Sequence, residues 1–258
     1  MKISIRFYAH LNFFIDPAHR QKRFTLEILQ PGSIKDMIES QGVPHTEIGY
    51  LLVNGQFVGF ETQLQDQDNI SVYPEFHTIL IEQGSKVLPQ YSGIPRFILD
   101  AHLGKLAAYL RLLGFDTMYS NHMDDVDLAF IAAKEGRILL SRDRGLLKRK
   151  IVTFGGYVQN TDPPKQIMEI YHRFHLKEYS MPFTRCTVCN GILHEASIEE
   201  VEEELPEKTS EYIDQCWQCQ DCHKLYWKGS HFIGIKKIFA EISALIPIVA
   251  PKTKEVTD

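Results

Sequence analysis

Two Cys-x-x-Cys hooks stand near the end of this chain, Cys186-Thr187-Val188-Cys189 and Cys219-Gln220-Asp221-Cys222. Two thiolates at that spacing can approach one tetrahedral ion, and two hooks complete its sphere, so a zinc ribbon is expected. All five cysteines fall between 186 and 222, and such clustering favours metal ligation over disulfides. Cys216 leaves the register open, because Cys216 with Cys219 has the same spacing as Cys219 with Cys222. The second pair is preferred. Four thiolates close the coordination sphere, so a zinc at Cys186, Cys189, Cys219 and Cys222 is structural, and chemistry has to be sought elsewhere. Asn190-Gly191 supplies a knuckle turn whose backbone N–H groups can point back at sulfur. The run from Tyr226 to His231 mixes aromatic, cationic and hydroxyl groups suited to an unpaired base and a phosphate.

A chain of 258 residues with 44% hydrophobic side chains can build two compact units and an appendage. Its net charge of −5 argues against a general nucleic-acid coat, so any basic surface is local. One such stretch is Arg142-Asp143-Arg144-Gly145-Leu146-Leu147-Lys148-Arg149-Lys150, whereas the acidic run 195–211 reads as a solvated face. The first residues alternate like a strand and do not form the apolar block of a signal peptide. Residues 232–248 are interrupted by Lys236, Lys237 and Glu241 and fall short of the ~20 apolar residues of a membrane span. A soluble, cytoplasmic protein is therefore expected.

The order of elements divides the chain. Strands at 3–8 and around Phe24, Leu26 and Ile28 precede a helix capped by Ser33, with Ile34, Met37 and Ile38 on one face and Gly42 beyond its end. Strand 50–53 meets Asn54-Gly55, a strong hairpin signal, and a last strand covers 70–73. This ββαββ order predicts a β-grasp, or ubiquitin-like, unit at 1–82. After a polar linker, strands alternate with helices, which predicts a parallel sheet over 94–178. Phe97-Ile98-Leu99 is a short buried strand. Leu103, Leu106, Leu110 and Leu113 then recur at helical spacing, Asp127 opens a second helix, and strand Ile138-Leu139-Leu140 runs into Ser141-Arg142-Asp143. Another strand near 156–158 precedes a helix started by Pro163-Pro164. The ribbon is placed at 183–233. Ile235, Ile238, Phe239, Ile242 and Leu245 form an amphipathic helix at 234–250.

Asp100 and Asp143 each follow the C-terminal end of a buried strand, where open α/β sheets place their ligand crevice. Asp127 can reach the same rim. Oxygen-only ligands of this kind suit Mg²⁺ or Mn²⁺, and carboxylate-held metals promote in-line displacement at phosphodiesters. Each aspartate has a plainer reading as a helix cap or an arginine partner. Lys105, in the first turn of the helix after Asp100, can meet a scissile phosphate. Arg142 and Arg144 can steer the nucleic-acid backbone.

The run Arg96-Phe97-Ile98-Leu99-Asp100-Ala101-His102-Leu103-Gly104-Lys105-Leu106-Ala107, continued by Leu110-Arg111-Leu112-Leu113-Gly114-Phe115-Asp116, resembles the Mut-7 carboxy-terminal RNase family. The segment from Glu135 to Asp143 resembles its second signature, with Ser141 where Thr is usual. The segments from Arg185 to Gly191 and from Tyr226 to His231 resemble its zinc ribbon. Arg6-Phe7-Tyr8, Leu11-Asn12, the run from Gly42 to His45, Asn54-Gly55 and Ser71-Val72-Tyr73-Pro74 resemble the ubiquitin-like domain often fused ahead of it. The resemblance implies a PIN-like nuclease fold in which Asp100, Asp127 and Asp143 bind catalytic Mg²⁺ or Mn²⁺. It also supports Cys219 and Cys222 as zinc ligands, and Lys105, Arg111, Arg142 and Arg144 are the expected substrate-binding residues. The partner implied is RNA, single-stranded or structured, such as tRNA or rRNA, with a protein partner for the ubiquitin-like domain. The competing reading is a non-catalytic RNA-binding or ribosome-associated adaptor. A ubiquitin-like modifier is disfavoured because the β-grasp unit runs on through Pro74-Glu75-Phe76 and ends in no free Gly-Gly.

Overall fold

The computed structural model describes residues 1–29, 32–76, 86–206 and 213–227. The amphipathic helix expected at 234–250 and the Lys228 to His231 part of the aromatic run lie outside the described residues. Among the described residues no helix is long and apolar enough to cross a membrane.

The first unit consists of β1 (Lys2–Phe7), β2 (Phe24–Glu27), α1 (Ile34–Ser40), β3 (Tyr50–Val53), β4 (Gln56–Phe57) and β5 (Asn69–Tyr73). Its strand order is β2-β1-β5-β3-β4, with β1 and β5 parallel and the other pairs antiparallel, the mixed sheet of a β-grasp. Period-two alternation sends Ile3, Ile5 and Phe7 of β1 and Ile70 and Val72 of β5 into the core. Each such burial is worth about 1.5–3 kcal/mol. The Ser33 hydroxyl accepts the Asp36 N–H at 3.2 Å and starts α1, which lays Ile34, Met37 and Ile38 on the sheet. Asn54 and Gly55 both take positive φ, 51° and 84°, as the two-residue hairpin between β3 and β4 requires.

The second unit runs β6 (Phe97–Leu99), α2 (Gly104–Leu112), β7 (Thr117–Tyr119), α3 (Asp125–Glu135), β8 (Ile138–Ser141), α4 (Arg144–Leu147), β9 (Gly155–Tyr157) and α5 (Pro163–Arg173). Its four strands are parallel in the order β7-β6-β8-β9. Sequence patterning does not reveal β7: three residues with only Thr117 fully buried are too short to show a period. Its place at the edge nevertheless makes β6 and β8 neighbours. Phe97, Leu99, Ile138 and Leu140 pack under α2 and α5 with Leu106, Leu110, Ile167 and Ile170.

Ile98 and Leu139 point to the other face, where they share one continuous core with Leu128, Ala129 and Ala132 of α3 and with the apolar interior of the β-grasp unit. Polar contacts reinforce that joint. The Arg144 guanidinium donates to the Phe14 carbonyl at 2.9 Å and lies over the rings of Phe13, Phe14 and Tyr157. His45 Nε2 faces the Val152 carbonyl at 2.8 Å. Glu47, fully buried, accepts from the Tyr157 N–H at 2.7 Å and pairs with Arg173 at 3.0 Å and His10 at 3.1 Å.

The third unit is the antiparallel sheet of β10 (Leu193–Ala196), β11 (Cys216–Cys219) and β12 (Leu225–Trp227), with the short α6 (Ile198–Val201) after β10. The described glutamates of the acidic run are exposed. Val201 and Leu205 within it turn inward and close a small cluster with Ile213 and Cys216.

Burial pushes the Glu47 carboxyl up, but Arg173, His10 and the Tyr157 N–H outweigh it and hold the group below its ordinary 4.5. A depressed folded-state value means that its contribution is complete above the ordinary value and is lost progressively below it, as pH falls through the lowered folded-state value. Thermal melts between about pH 6 and pH 3.5 should therefore fall more steeply in the wild type than in Glu47→Gln; parallel curves would contradict this coupling. Glu47→Ala, which strands Arg173, is expected to cost about 3–5 kcal/mol in denaturant unfolding.

Candidate functional site

In the order β7-β6-β8-β9 the chain leaves β6 toward one edge and returns at β8 toward the other. The crevice beyond the carboxyl ends of β6 and β8 is thus the topological switch point of the sheet. Asp100 follows β6 directly, and its N–H bonds the Leu140 carbonyl at 3.1 Å. It stands at the N-cap position of a 3-10 turn, Ala101–Leu103, yet its side chain makes no capping bond. Instead Asp100 Oδ2 accepts from the Ser141 hydroxyl at 2.8 Å, and Ser141 Oγ accepts from the Asp143 N–H at 2.8 Å. Ser141 is wholly buried, so one hydroxyl ties the two strand ends together. Asp143 caps α4 through Oδ1, which accepts from the N–H groups of Gly145 at 2.6 Å and Leu146 at 3.4 Å. The cap reading and the site reading of Asp143 therefore coexist.

The crevice is lined by Asp100, His102, Asp125, Arg142, Asp143 and Arg144. The third carboxylate there is Asp125, not Asp127. Asp124 is the cap of α3 and accepts from the N–H groups of Val126 and Asp127, both at 2.9 Å. With the helix begun at Asp125, that residue sits one and two turns before buried Ala129 and Ala132, on the face turned to the sheet. Asp127 falls on the exposed side with Val126 and Phe130. The i, i+4, i+7 relation of Asp125 to the two alanines is the sequence signal that identifies it. No spacing rule points to His102 or Ser141, which come into view only with the strand order.

The cations go elsewhere. Arg142 Nη1 donates to the carbonyls of Val158, Gln159 and Asn160 at 3.1, 2.8 and 2.6 Å and clamps the segment after β9. Arg144 is held by Phe14 and its aromatic neighbours. Lys105 is exposed in the first turn of α2, outside the crevice lining. Among the described residues no Lys or Arg forms an ion pair with Asp100, Asp125 or Asp143.

Arg111 is far from a substrate-binding role. It is buried, and it donates from Nε to the Thr117 carbonyl at 2.9 Å and from Nη1 to the carbonyls of Thr187 at 3.2 Å and Val188 at 2.7 Å. It thereby fastens the first cysteine hook to β7. Asn190 repeats the link, accepting the Thr117 N–H at 2.9 Å and donating to Asp116 at 2.8 Å. Asp116 is in turn paired with Arg137 at 2.9 Å.

Among the described residues the group of three or more His, Cys, Asp or Glu placed to hold a metal ion is Cys186, Cys189, Cys219 and Cys222, whose sulfurs all lie within 4.8 Å of one another. Four sulfurs about 2.3 Å from a central ion form a tetrahedron with edges of about 3.8 Å. The Cys186–Cys222 and Cys189–Cys219 sulfur pairs, at 3.6 and 3.4 Å, come close to that spacing. Against burial, the Tyr226 hydroxyl and the N–H groups of Cys189 and Val188 hold the Cys186 thiol down to about 6, a value that favours the ligating thiolate. A Cβ on Gly191 would meet Asp221 Oδ2 at 2.4 Å and Cys219 Sγ at 2.8 Å, so the knuckle turn requires glycine. Cys216 leaves this group: its sulfur is buried against Val201 and Leu205 and donates to the Ala196 carbonyl at 3.1 Å. Cys219 and Cys222, and not Cys216, are thus the second pair gathered with Cys186 and Cys189.

The Mut7-C RNAse domain matches residues 95–239 and the Mut7-C ubiquitin domain matches residues 1–80. No curated protein and no solved structure matches the chain. With more than half of its length matched by the first of these, the chain belongs to the Mut7-C RNAse domain family and carries a Mut7-C ubiquitin domain ahead of that region.

Proposed function

We propose that the protein is a metal-dependent ribonuclease that hydrolyses RNA phosphodiester bonds in the crevice between β6 and β8. The observation that carries this reading is that Asp100, Asp125 and Asp143 line one crevice at the switch point with no Lys or Arg ion-paired to them. Arg142 and Arg144 line the same crevice but bond carbonyls, so the three carboxylates lack a salt-bridge partner, and their mutual repulsion is a cost that a bound divalent cation would offset. In this reading Asp100, Asp143 and Asp125, in the place expected for Asp127, hold Mg²⁺ or Mn²⁺. When bound, the cation supplies charge stabilisation at the phosphoryl oxygens and a water of lowered pKa.

The residues of the chain prepare the rest. Ser141 holds one oxygen of Asp100, and the first turn of α4 holds one oxygen of Asp143. The remaining oxygen of each has no hydrogen-bond partner among the described residues and can meet a cation or its water. Arg142 and Arg144 donate to carbonyls, which leaves their positive charge uncancelled beside the crevice to orient the phosphodiester. His102 adds a donor on the same wall, and Lys105 meets phosphates farther along the strand.

The ribbon carries a structural zinc on its four cysteines and holds β7 in register through Arg111 and Asn190. The functional division of the chain is a ubiquitin-like unit at 1–82, a PIN-like unit at 94–178 and a ribbon at 183–233. RNA is the substrate, the ubiquitin-like unit is where a protein partner docks, and five cysteines with no disulfide among them suit the reducing cytoplasm. A non-catalytic RNA-binding adaptor is the alternative, favoured by one observation: among the described residues the four cysteines, and not these three carboxylates, form the group gathered closely enough to hold a metal ion. Mg²⁺ answers it, since it keeps several waters and takes only one or two carboxylates directly.

Asn retains the capping oxygen of Asp143, so Asp143→Asn separates chemistry from folding. Cleavage of end-labelled single-stranded RNA in Mn²⁺ should fall at least about 100-fold in this variant, with an unchanged melting temperature. Asp125→Asn should behave alike, and Asp127→Asn should stay within roughly threefold of wild type. RNA binding with no cleavage in any divalent metal would select the adaptor. For the ribbon, mass spectrometry of dialysed protein should find about one zinc per chain in wild type and Cys216→Ser and markedly less in Cys219→Ser; the reverse order would reject the ligand set.

A further inference from the structure

The sheet face of the β-grasp unit opposite α1 carries a cluster that the crevice does not use. The alternation that buries Ile5 and Phe7 leaves Arg6 and Tyr8 on the other side, beside Ser71 and Tyr73 of β5, and Arg6 is opposite Ser71 in the parallel ladder. The rings of Tyr8 and Tyr73 stack with centroids 4.1 Å apart at 17°. The Arg6 guanidinium lies over the Tyr8 ring at 4.8 Å. Arg23, just ahead of β2, reaches across to the Ser71 hydroxyl and the Ile70 carbonyl, both at 3.2 Å, and to Asn69.

Three properties of this cluster select its ligand. Among the described residues neither guanidinium is ion-paired, and the buried Arg6 Nε has no hydrogen-bond partner. Residues 1–29 hold Lys2, Arg6, Arg20, Lys22 and Arg23 against only Asp16 and Glu27, in a chain of net charge −5. The Tyr73 hydroxyl holds the Tyr8 phenol below its ordinary 10.0 against burial, with smaller help from Ser71 and the charges of Arg6 and Arg23, while burial and Tyr8 push the Tyr73 phenol up. Forked cationic donors and hydroxyls fit phosphate oxygens, and the adjoining aromatic planes fit unstacked bases. An acidic peptide would use the charges but not the planes. Continuity with the crevice points the same way: Tyr8 leads into the turn Ala9–Phe13, and Phe13 lies against Arg144, which lines the crevice beside Asp143.

We propose that Arg6, Tyr8, Arg23, Ser71 and Tyr73 form an accessory site for the backbone and bases of single-stranded RNA, outside the cleavage crevice. The proposal deepens the ribonuclease reading and rests on it for the identity of the nucleic acid.

The test is fluorescence anisotropy of a labelled single-stranded oligoribonucleotide on the full chain, in buffer with neither Mg²⁺ nor Mn²⁺ and no chelator, so that thiolate-held zinc stays. The double variant Arg6→Gln/Arg23→Gln should bind about tenfold more weakly, and its slope of log affinity against log salt should shrink by roughly 1.4, two phosphates' worth. Tyr8→Leu should weaken binding several-fold through lost stacking and leave that slope unchanged. Arg23 bonds backbone carbonyls, so Arg6→Gln alone is the variant that spares the fold, with melting curves as the check; it should lose about half of the slope change. Wild-type affinity and slope in all three variants would overturn the proposal and mark the face as a protein-docking surface. Hydrolysis of bis(p-nitrophenyl) phosphate by the wild type in Mn²⁺ is measured separately. Its absence would reject the nuclease reading without touching the binding result.

Discussion

The crevice depends on one buried hydroxyl. Ser141 donates to Asp100 and accepts from the Asp143 N–H, and it can do both only because β6 and β8 are adjacent, with Leu99 opposite Leu140. That adjacency comes from β7, which takes the outer edge and leaves no strand between them. A parallel sheet wound the other way would bury the same residues equally well and place the two aspartates on separate strand ends with a strand between. Hydrophobic burial therefore accounts for the stability of the sheet, while strand order accounts for the site.

The basic residues near the crevice show how a chain of negative net charge can keep positive charge at one place on its surface. Arg142 and Arg144 are anchored by carbonyl oxygens and aromatic rings, not by carboxylates. Such contacts order a guanidinium and leave its charge intact. Arg137, by contrast, is matched with Asp116 and Glu135 and contributes little field. A count of charges along the sequence cannot separate these two kinds of arginine, because the difference lies in the partner.

What is legible in the sequence follows the length and regularity of each element. Alternation at Ile3, Ile5 and Phe7, the Ser33 cap and the Asn54-Gly55 turn are local signals, and the β-grasp unit follows from them. Phe97-Ile98-Leu99 and Ile138-Leu139-Leu140 are just as plain as buried runs, so Asp100 and Asp143 can be placed from sequence. Asp125 is harder, because the start of α3 holds Asp124, Asp125 and Asp127 within one turn and the cap decides which of them faces the sheet. Arg111 is not legible at all: its three carbonyl partners lie on β7 and on the cysteine hook, and nothing local marks a guanidinium that will be buried by a distant loop. Cys216 is likewise decided by the apolar cluster formed by Val201, Leu205 and Ile213, inside a stretch whose composition is dominated by exposed glutamates.

The three units are distinct in the chain and coupled in space, for different physical reasons at the two joints. Between the β-grasp unit and the parallel sheet the joint is hydrophobic: α3 covers only part of the sheet face, and the first unit closes the rest with a core that crosses the boundary without a break. Glu47 and Arg144 add direction to that contact, because burial of a charge is tolerated only where its partners are in place. Between the ribbon and the sheet the joint is polar and rests on one edge strand, since Arg111 and Asn190 both hold Thr117. The edge strand that sets the order around the crevice is thus the strand to which the four-cysteine knuckle is fastened. The contacts that lead from the ribbon toward the carboxylates run through Thr117 and the pairing of β7 with β6.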